Sequence, residues 1–129
     1  MSNALIVAAY LATGLLNLLP VAGVLGAFRL NKLYGLTFDE PNLLVLMRHR
    51  ALLFGLIGDF LIAAAFIPAW RLPAGLMGAL SMAGFIALAR LYAPLNAALR
   101  RVVIADWVGL ALLLPALALG WFVRAPHAT

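Results

Sequence analysis

Two aspartates stand where an ionised carboxylate is expensive. Asp59 lies near the middle of the apolar run 51–67, and Asp106 lies about one and a half turns inside a second apolar run. At the bilayer centre such a group costs roughly 2.5–3.5 kcal/mol on insertion scales, so intramembrane acids are expected to turn inward and find partners. Around them cations are in excess: Arg48, Arg50, Arg90, Arg100 and Arg101, with His49 and Asn96 interleaved. A guanidinium presents a planar donor fork that matches phosphate and carboxylate. These residue types point to a pocket for an anionic or carbonyl-bearing head, bound through Arg48, Arg50, Arg100, Arg101, Asn96 and Asp106. A second chemistry is proton transfer by Asp59 and His49, the catalytic candidates of a small membrane enzyme or quinone-linked oxidoreductase subunit. A third reading is structural: helix-end arginines anchor the headgroup boundary, Arg–Asp pairs join helices, and the chain is an assembly partner in a membrane complex.

Spacing sharpens the first reading. Arg48 and Asp59 are eleven positions apart (59 − 48) and return to nearly the same helix face, ~16 Å apart along the axis. Asn96 and Arg100 share a face at i, i+4, flanked by Arg101 and Asp106. His49 is the one histidine within the apolar runs, since His127 lies in the polar tail. Metal ligation would ask for further ligands at suitable spacing, and none is visible. No cofactor is indicated.

The elements that must position these groups are membrane helices. Apolar residues make up 67% of the 129 positions and charged residues 10%, far from the roughly 25% charged of globular domains. So few charges could not cover a soluble surface, and the surplus apolar surface must face lipid. The absence of cysteine excludes disulfides and thiolate metal sites. A net charge of +5 comes with no basic domain, aromatic-basic platform or zinc pattern, so nucleic acid is excluded as a partner. The charge suits anionic lipid headgroups or an anionic amphiphile instead.

A spanning helix needs about 20 mostly apolar residues. Four candidates follow: 4–19 or longer, 41–67, 73–92 and 95–123, with Pro115 a kink in the last. The sequence predicts an all-α, up-down four-helix bundle in one membrane domain over 1–129. Between the first two spans, the mixture of Leu30, Leu33, Tyr34 and Leu36 with Arg29 and Lys32 suits either a short interfacial helix or an ordered loop. The opening residues lack a Lys/Arg-bearing leader, so the first run reads as a retained helix.

Lys and Arg are split unevenly. Arg29, Lys32, Arg48, Arg50, Arg90, Arg100 and Arg101 fall on one side, and Arg71 and Arg124 on the other. The positive-inside rule makes the first side cytoplasmic and places both termini outside, periplasmic in a bacterial inner membrane. Arg29, Lys32, Arg71 and Arg124 read as anchors. In the third span Gly75, Ala79, Ala83 and Ala87 recur every four residues, a small-residue stripe suited to packing within the bundle or to a homo-oligomer.

Several activities lack their motifs. There is no glycine-rich phosphate loop, nucleophile elbow or His-Glu-x-x-His helix. The first span carries Thr13 and Asn17 but no acid, unlike a small four-span drug exporter.

The stretches Leu33-Tyr34-Gly35-Leu36, Asp39-Glu40-Pro41-Asn42, Leu46-Met47-Arg48-His49-Arg50-Ala51 and Asn96-Ala97-Ala98-Leu99-Arg100-Arg101-Val102 through Asp106 carry a resemblance. They resemble an uncharacterised family of small bacterial four-span membrane proteins, broadly similar to DoxX-like proteins. The resemblance implies a bacterial inner membrane and, by analogy, a quinone-linked redox role. Some members carry the label phosphopantetheine adenylyltransferase. That activity belongs to a soluble α/β enzyme with a His-x-Gly-His motif, which this sequence lacks.

Overall fold

The computed structural model describes residues 2–124, and no strand occurs among them. Helix α1 (Ser2–Leu18) continues without a break into a 3-10 segment (Leu19–Leu25), and the two form the first apolar crossing. Pro20 does not end this crossing, because it sits in the first turn of the 3-10 segment, where its missing N–H breaks no bond. Then come a short helix α2 (Ala27–Tyr34), α3 (Pro41–Phe66), a 3-10 turn (Pro68–Trp70), α4 (Arg71–Leu91) and α5 (Ala97–Arg124). Four segments of 24 to 26 residues are long and apolar enough to cross a membrane. At 1.5 Å per residue each exceeds the ~30 Å of hydrocarbon. The chain is an all-α, multi-pass membrane protein.

The boundaries move where local chemistry overrides hydropathy. The third crossing starts at Pro68 rather than Pro73, which is accommodated in the first turn of α4. The fourth starts at Ala97 rather than Leu95, because Asn96 caps it: its Oδ1 accepts the Leu99 N–H at 2.8 Å.

Each long helix packs beside two others, α1 and α4 each against α3 and α5, so the bundle is a four-sided ring of antiparallel neighbours. Lipid gives helices no hydrophobic reason to associate, so close backbone approach must hold them. Gly14 of α1 and Gly58 of α3 provide it: a Cβ on either would fall 2.9 Å from the other's carbonyl oxygen. Ile6, Tyr10, Leu61, Met82 and Leu113 fill the middle of the ring.

The predicted stripe on α4 is only half inside. Gly75 is buried, Ala79 half-buried, and Ala83 and Ala87 exposed. The stripe lies one position, about 100°, round the helix from the series that packs inward, so only its first residue is fully covered. The buried face runs through Ala74, Gly78, Met82, Ile86 and Ala89 instead.

Arg71, expected as a headgroup anchor, folds back onto the end of α3. Its Nε and Nη2 donate to the Ala64 and Ala65 carbonyls at 3.3 and 3.0 Å, satisfying acceptors that the helix end leaves open. The Arg71 carbonyl accepts the Tyr10 hydroxyl at 2.5 Å, tying α1 to the same corner.

Candidate functional site

The site is built at the arginine-rich end, and α2 shapes it. Two glycines with positive φ, Gly26 at 129° and Gly35 at 62°, bracket α2, conformations that L side chains rarely adopt. Gly35 ends α2 in the left-handed region, its N–H bonding to the Asn31 carbonyl at 2.9 Å. The Asn31 Oδ1 accepts the Phe38 N–H at 2.9 Å, folding the following loop back. Leu30, Tyr34 and Phe38 are thereby buried against Leu44, Met47, Leu99 and Val102. Asn96 locks the arrangement, since its Nδ2 donates to the Tyr34 carbonyl at 2.8 Å while its Oδ1 caps α5. The expected interfacial segment is thus a short helix that roofs the end of the bundle.

Beneath that roof lies a cavity of about 250 Å³. Leu16, Asn17, Leu19 and Pro20 form one wall, Ala98, Val102 and Ala105 the facing one, and Leu33 and Tyr34 the roof. Its polar groups are Asn17, Tyr34, Arg50, Arg101 and Asp106.

These groups are not equivalent. Arg50 is already satisfied: its Nη1 donates to the Tyr34 hydroxyl at 2.9 Å, and its guanidinium lies 4.8–5.3 Å from the ring centres of Tyr34, Phe54 and Phe85. Three aromatic faces around one cation exceed an ordinary cation–π contact and hold the group rigid. Arg101, in contrast, is exposed at the cavity's edge and makes no hydrogen bond, ion pair or ring contact among the described residues. Asp106 is half-buried and makes no hydrogen bond or ion pair among them. Asn17 spends its Nδ2 on the Thr13 carbonyl at 2.9 Å, which leaves Oδ1 as an acceptor. The cavity therefore offers one free guanidinium, and ~7.5 Å deeper along α5 one free carboxyl, between apolar walls.

Sequence reasoning expected six binding residues to converge, and three do. Arg50, Arg101 and Asp106 line the cavity, while Arg48, Asn96 and Arg100 do not. Arg48 donates from Nε to the Val24 carbonyl at 2.8 Å, pinning α3 to the end of the first crossing. Asn96 is the clamp described above, and Arg100 is exposed. Arg90 lies 5.6 Å over the Trp107 ring, outside the cavity.

The two catalytic candidates also stand elsewhere. His49 and Asp59 are both exposed on the outer side of α3. The spacing argument placed Arg48 and Asp59 on one face, and they share one, but that face is outward. The reason is packing. The small residues Ala51, Gly55 and Gly58 turn one side of α3 to the first crossing, and Asp59 is carried away from it. The expected inward turn of Asp59 does not occur.

Phe54 and Phe85 were not singled out from the sequence. Only the i, i+4 spacing of Arg50 and Phe54 could have signalled the first. Nothing local connects Arg50 to Phe85, which lies on another helix. No known protein family, curated protein or solved structure matches the chain.

Proposed function

We propose that this multi-pass membrane protein binds an amphiphile at its arginine-rich face, with the head in the cavity beneath α2 and the tail along the bundle's apolar wall. The observation that carries this reading is an unpartnered guanidinium and an unpartnered carboxyl facing the same apolar-walled cavity. At the half-buried Asp106 an unmade hydrogen bond is costly, and a ligand that completes it binds more tightly for it. Arg101 would take the anionic or carbonyl oxygen of the head as a bidentate donor, and Asp106 would accept a hydroxyl or amine deeper down. The preset Arg50 adds positive potential without leaving its aromatic cage. A phospholipid, a polyprenyl phosphate, a fatty acid and a quinone all fit this chemistry. About 250 Å³ holds a head and its first carbons, not a whole lipid, so the remainder of the tail would lie against Leu16 and Leu19.

The same proposal places this face in the cytoplasm of a bacterial inner membrane. Its support is the seven Lys and Arg residues here against Arg71 and Arg124 opposite.

The test is native mass spectrometry from mild detergent after exposure to dioleoylphosphatidylglycerol or dioleoylphosphatidylcholine. Wild type should retain the anionic lipid. Arg101→Gln should weaken retention about tenfold or more, the size of a lost charge-assisted hydrogen bond. Ala105→Phe should abolish it by filling the cavity. Equal retention by all three proteins, or none by wild type, would defeat the reading.

A further inference from the structure

Asn17 is a buried side chain that the protein leaves half unused. It is 5% exposed, and its Nδ2 is taken by the Thr13 carbonyl. Every fully enclosed side-chain nitrogen or oxygen among the described residues has a hydrogen-bond partner, yet the Asn17 Oδ1 makes no hydrogen bond among them. Oδ1 is therefore not enclosed, and the space that Asn17 borders is the cavity beneath α2. An amide oxygen only accepts, so the group that meets it there must donate.

Asp106 borders the same cavity from α5, which packs beside α1. Asn17 stands eight residues before the end of its crossing at Leu25 (25 − 17), and Asp106 nine after the start of α5 at Ala97 (106 − 97), so the two lie at similar depth. Arg101 marks the mouth, ~7.5 Å nearer the membrane face. Common anionic lipids do not match this order. Below its phosphate a diacyl glycerophospholipid carries ester oxygens and a polyprenyl phosphate carries hydrocarbon, and neither donates. An ammonium donates, but it is repelled by Arg50 and Arg101 and is costly to desolvate. A hydroxyl fits, and it suits the Asp106 carboxyl in either charge state. To a carboxylate it donates; from a neutral carboxyl it accepts the O–H while donating to the Asn17 Oδ1.

We infer that the ligand is an anionic amphiphile with a free hydroxyl within a few bonds of its anion on the tail side, as in a glycerophospholipid that has lost one acyl chain. The inference rests on the amphiphile reading above and narrows its ligand class. Arg101 takes the phosphate at the mouth, the glycerol hydroxyl reaches Asn17 and Asp106, and the remaining chain leaves along Leu16 and Leu19. A space of about 250 Å³ suits a glycerophosphate unit and the first carbons of one chain. A fatty acid hydroxylated near its carboxyl presents the same pair of groups, so the shared chemistry is an anion with a hydroxyl beneath it.

The experiment is competition between matched ligands, read by native mass spectrometry of the full chain in mild detergent. One equimolar pair is monooleoyl glycerophosphate and its methyl ether, in which the free hydroxyl is capped. The other is beta-hydroxypalmitate and palmitate. Wild type should prefer the hydroxyl member of at least one pair by about fivefold or more, the size of one net hydrogen bond. A preference confined to the first pair names a glycerophosphate as the source, and one confined to the second names a hydroxy acid. Asn17→Leu and Asp106→Ala should each bring the ratio close to one, and Asp106→Asn should largely keep it. The wild-type ratio needs no substitution, so a folding defect in a variant does not blunt the test. Equal retention within both pairs by wild type, or a preference that survives both Asn17→Leu and Asp106→Ala, would overturn the hydroxyl inference and leave the amphiphile reading standing. Retention of none of these compounds, nor of dioleoylphosphatidylglycerol, would defeat that reading itself.

Discussion

A cation enclosed by three rings and a cation with no partner are given different tasks by their surroundings. Arg50 spends its donors and its charge on Tyr34, Phe54 and Phe85, so it holds α2, α3 and α4 together. Removing it should show mainly as lost stability. Arg50→Leu is expected to cost about 1–3 kcal/mol of unfolding free energy in bicelles, and Tyr34→Phe about 1 kcal/mol through the lost hydrogen bond. Arg101→Gln should leave the same measurement unchanged within about 0.5 kcal/mol, because it breaks nothing within the protein. Equal destabilisation by both arginine substitutions would contradict the division of labour. The residue types were all legible in the sequence. Which arginine was already occupied was not, because Phe85 reaches Arg50 only through the packing of α4.

The elements depend on ends and close contacts. Helix α3 begins at Glu40, whose carboxylate accepts the Asn42 and Leu43 N–H groups at 3.0 and 2.7 Å. Those bonds, the Asn42 N–H first, hold the Glu40 pKa below its ordinary 4.5. A pKa lowered on folding means the cap contributes fully above about pH 4.5 and fades as pH falls through the lower folded value. The protection factors of the Asn42 and Leu43 amides should therefore fall as pH drops below about 4.5, a pH response that Glu40→Gln should remove. At the other kind of junction, Gly58→Val should cost at least about 2 kcal/mol, measured by unfolding in bicelles, because its side chain would meet the Gly14 carbonyl and the Leu18 side chain 2.9 Å from Cβ. Gly35→Ala should cost about 1 kcal/mol from backbone strain and loosen the roof over the cavity. The glycines and the Glu40-Pro41 start could be read from sequence. That α2 is a helix, rather than a loop, came with Asn31 and Asn96 tying down its C-terminal end and the loop that follows.

The whole molecule is a ring of four crossings with its chemistry at one end. Ser2, the Pro68–Trp70 turn and the end of α5 share one face, and α2 and the α4–α5 connection share the other. The charge split predicts that reporters fused at either terminus face away from the cytoplasm. Adding three lysines in the Pro68–Trp70 turn should reverse or mix that orientation, read by cysteine accessibility at positions 2 and 69. Retained orientation would mean that something other than the arginine count decides insertion.

Composition and segment length determined the class, the number of crossings and the end at which the charges gather, because transfer into hydrocarbon is a property of each segment by itself. Tertiary structure decided which charges face in. Asp59 and Asp106 look alike along the chain, each an acid within an apolar run, yet α3 packs through Gly58 and turns Asp59 to the lipid side, while α5 turns Asp106 to the cavity. In water an apolar face would have marked the inside. In a bilayer both the interior and the surroundings are apolar, so hydropathy is silent on direction, and only the fit of small residues between neighbouring backbones sets it.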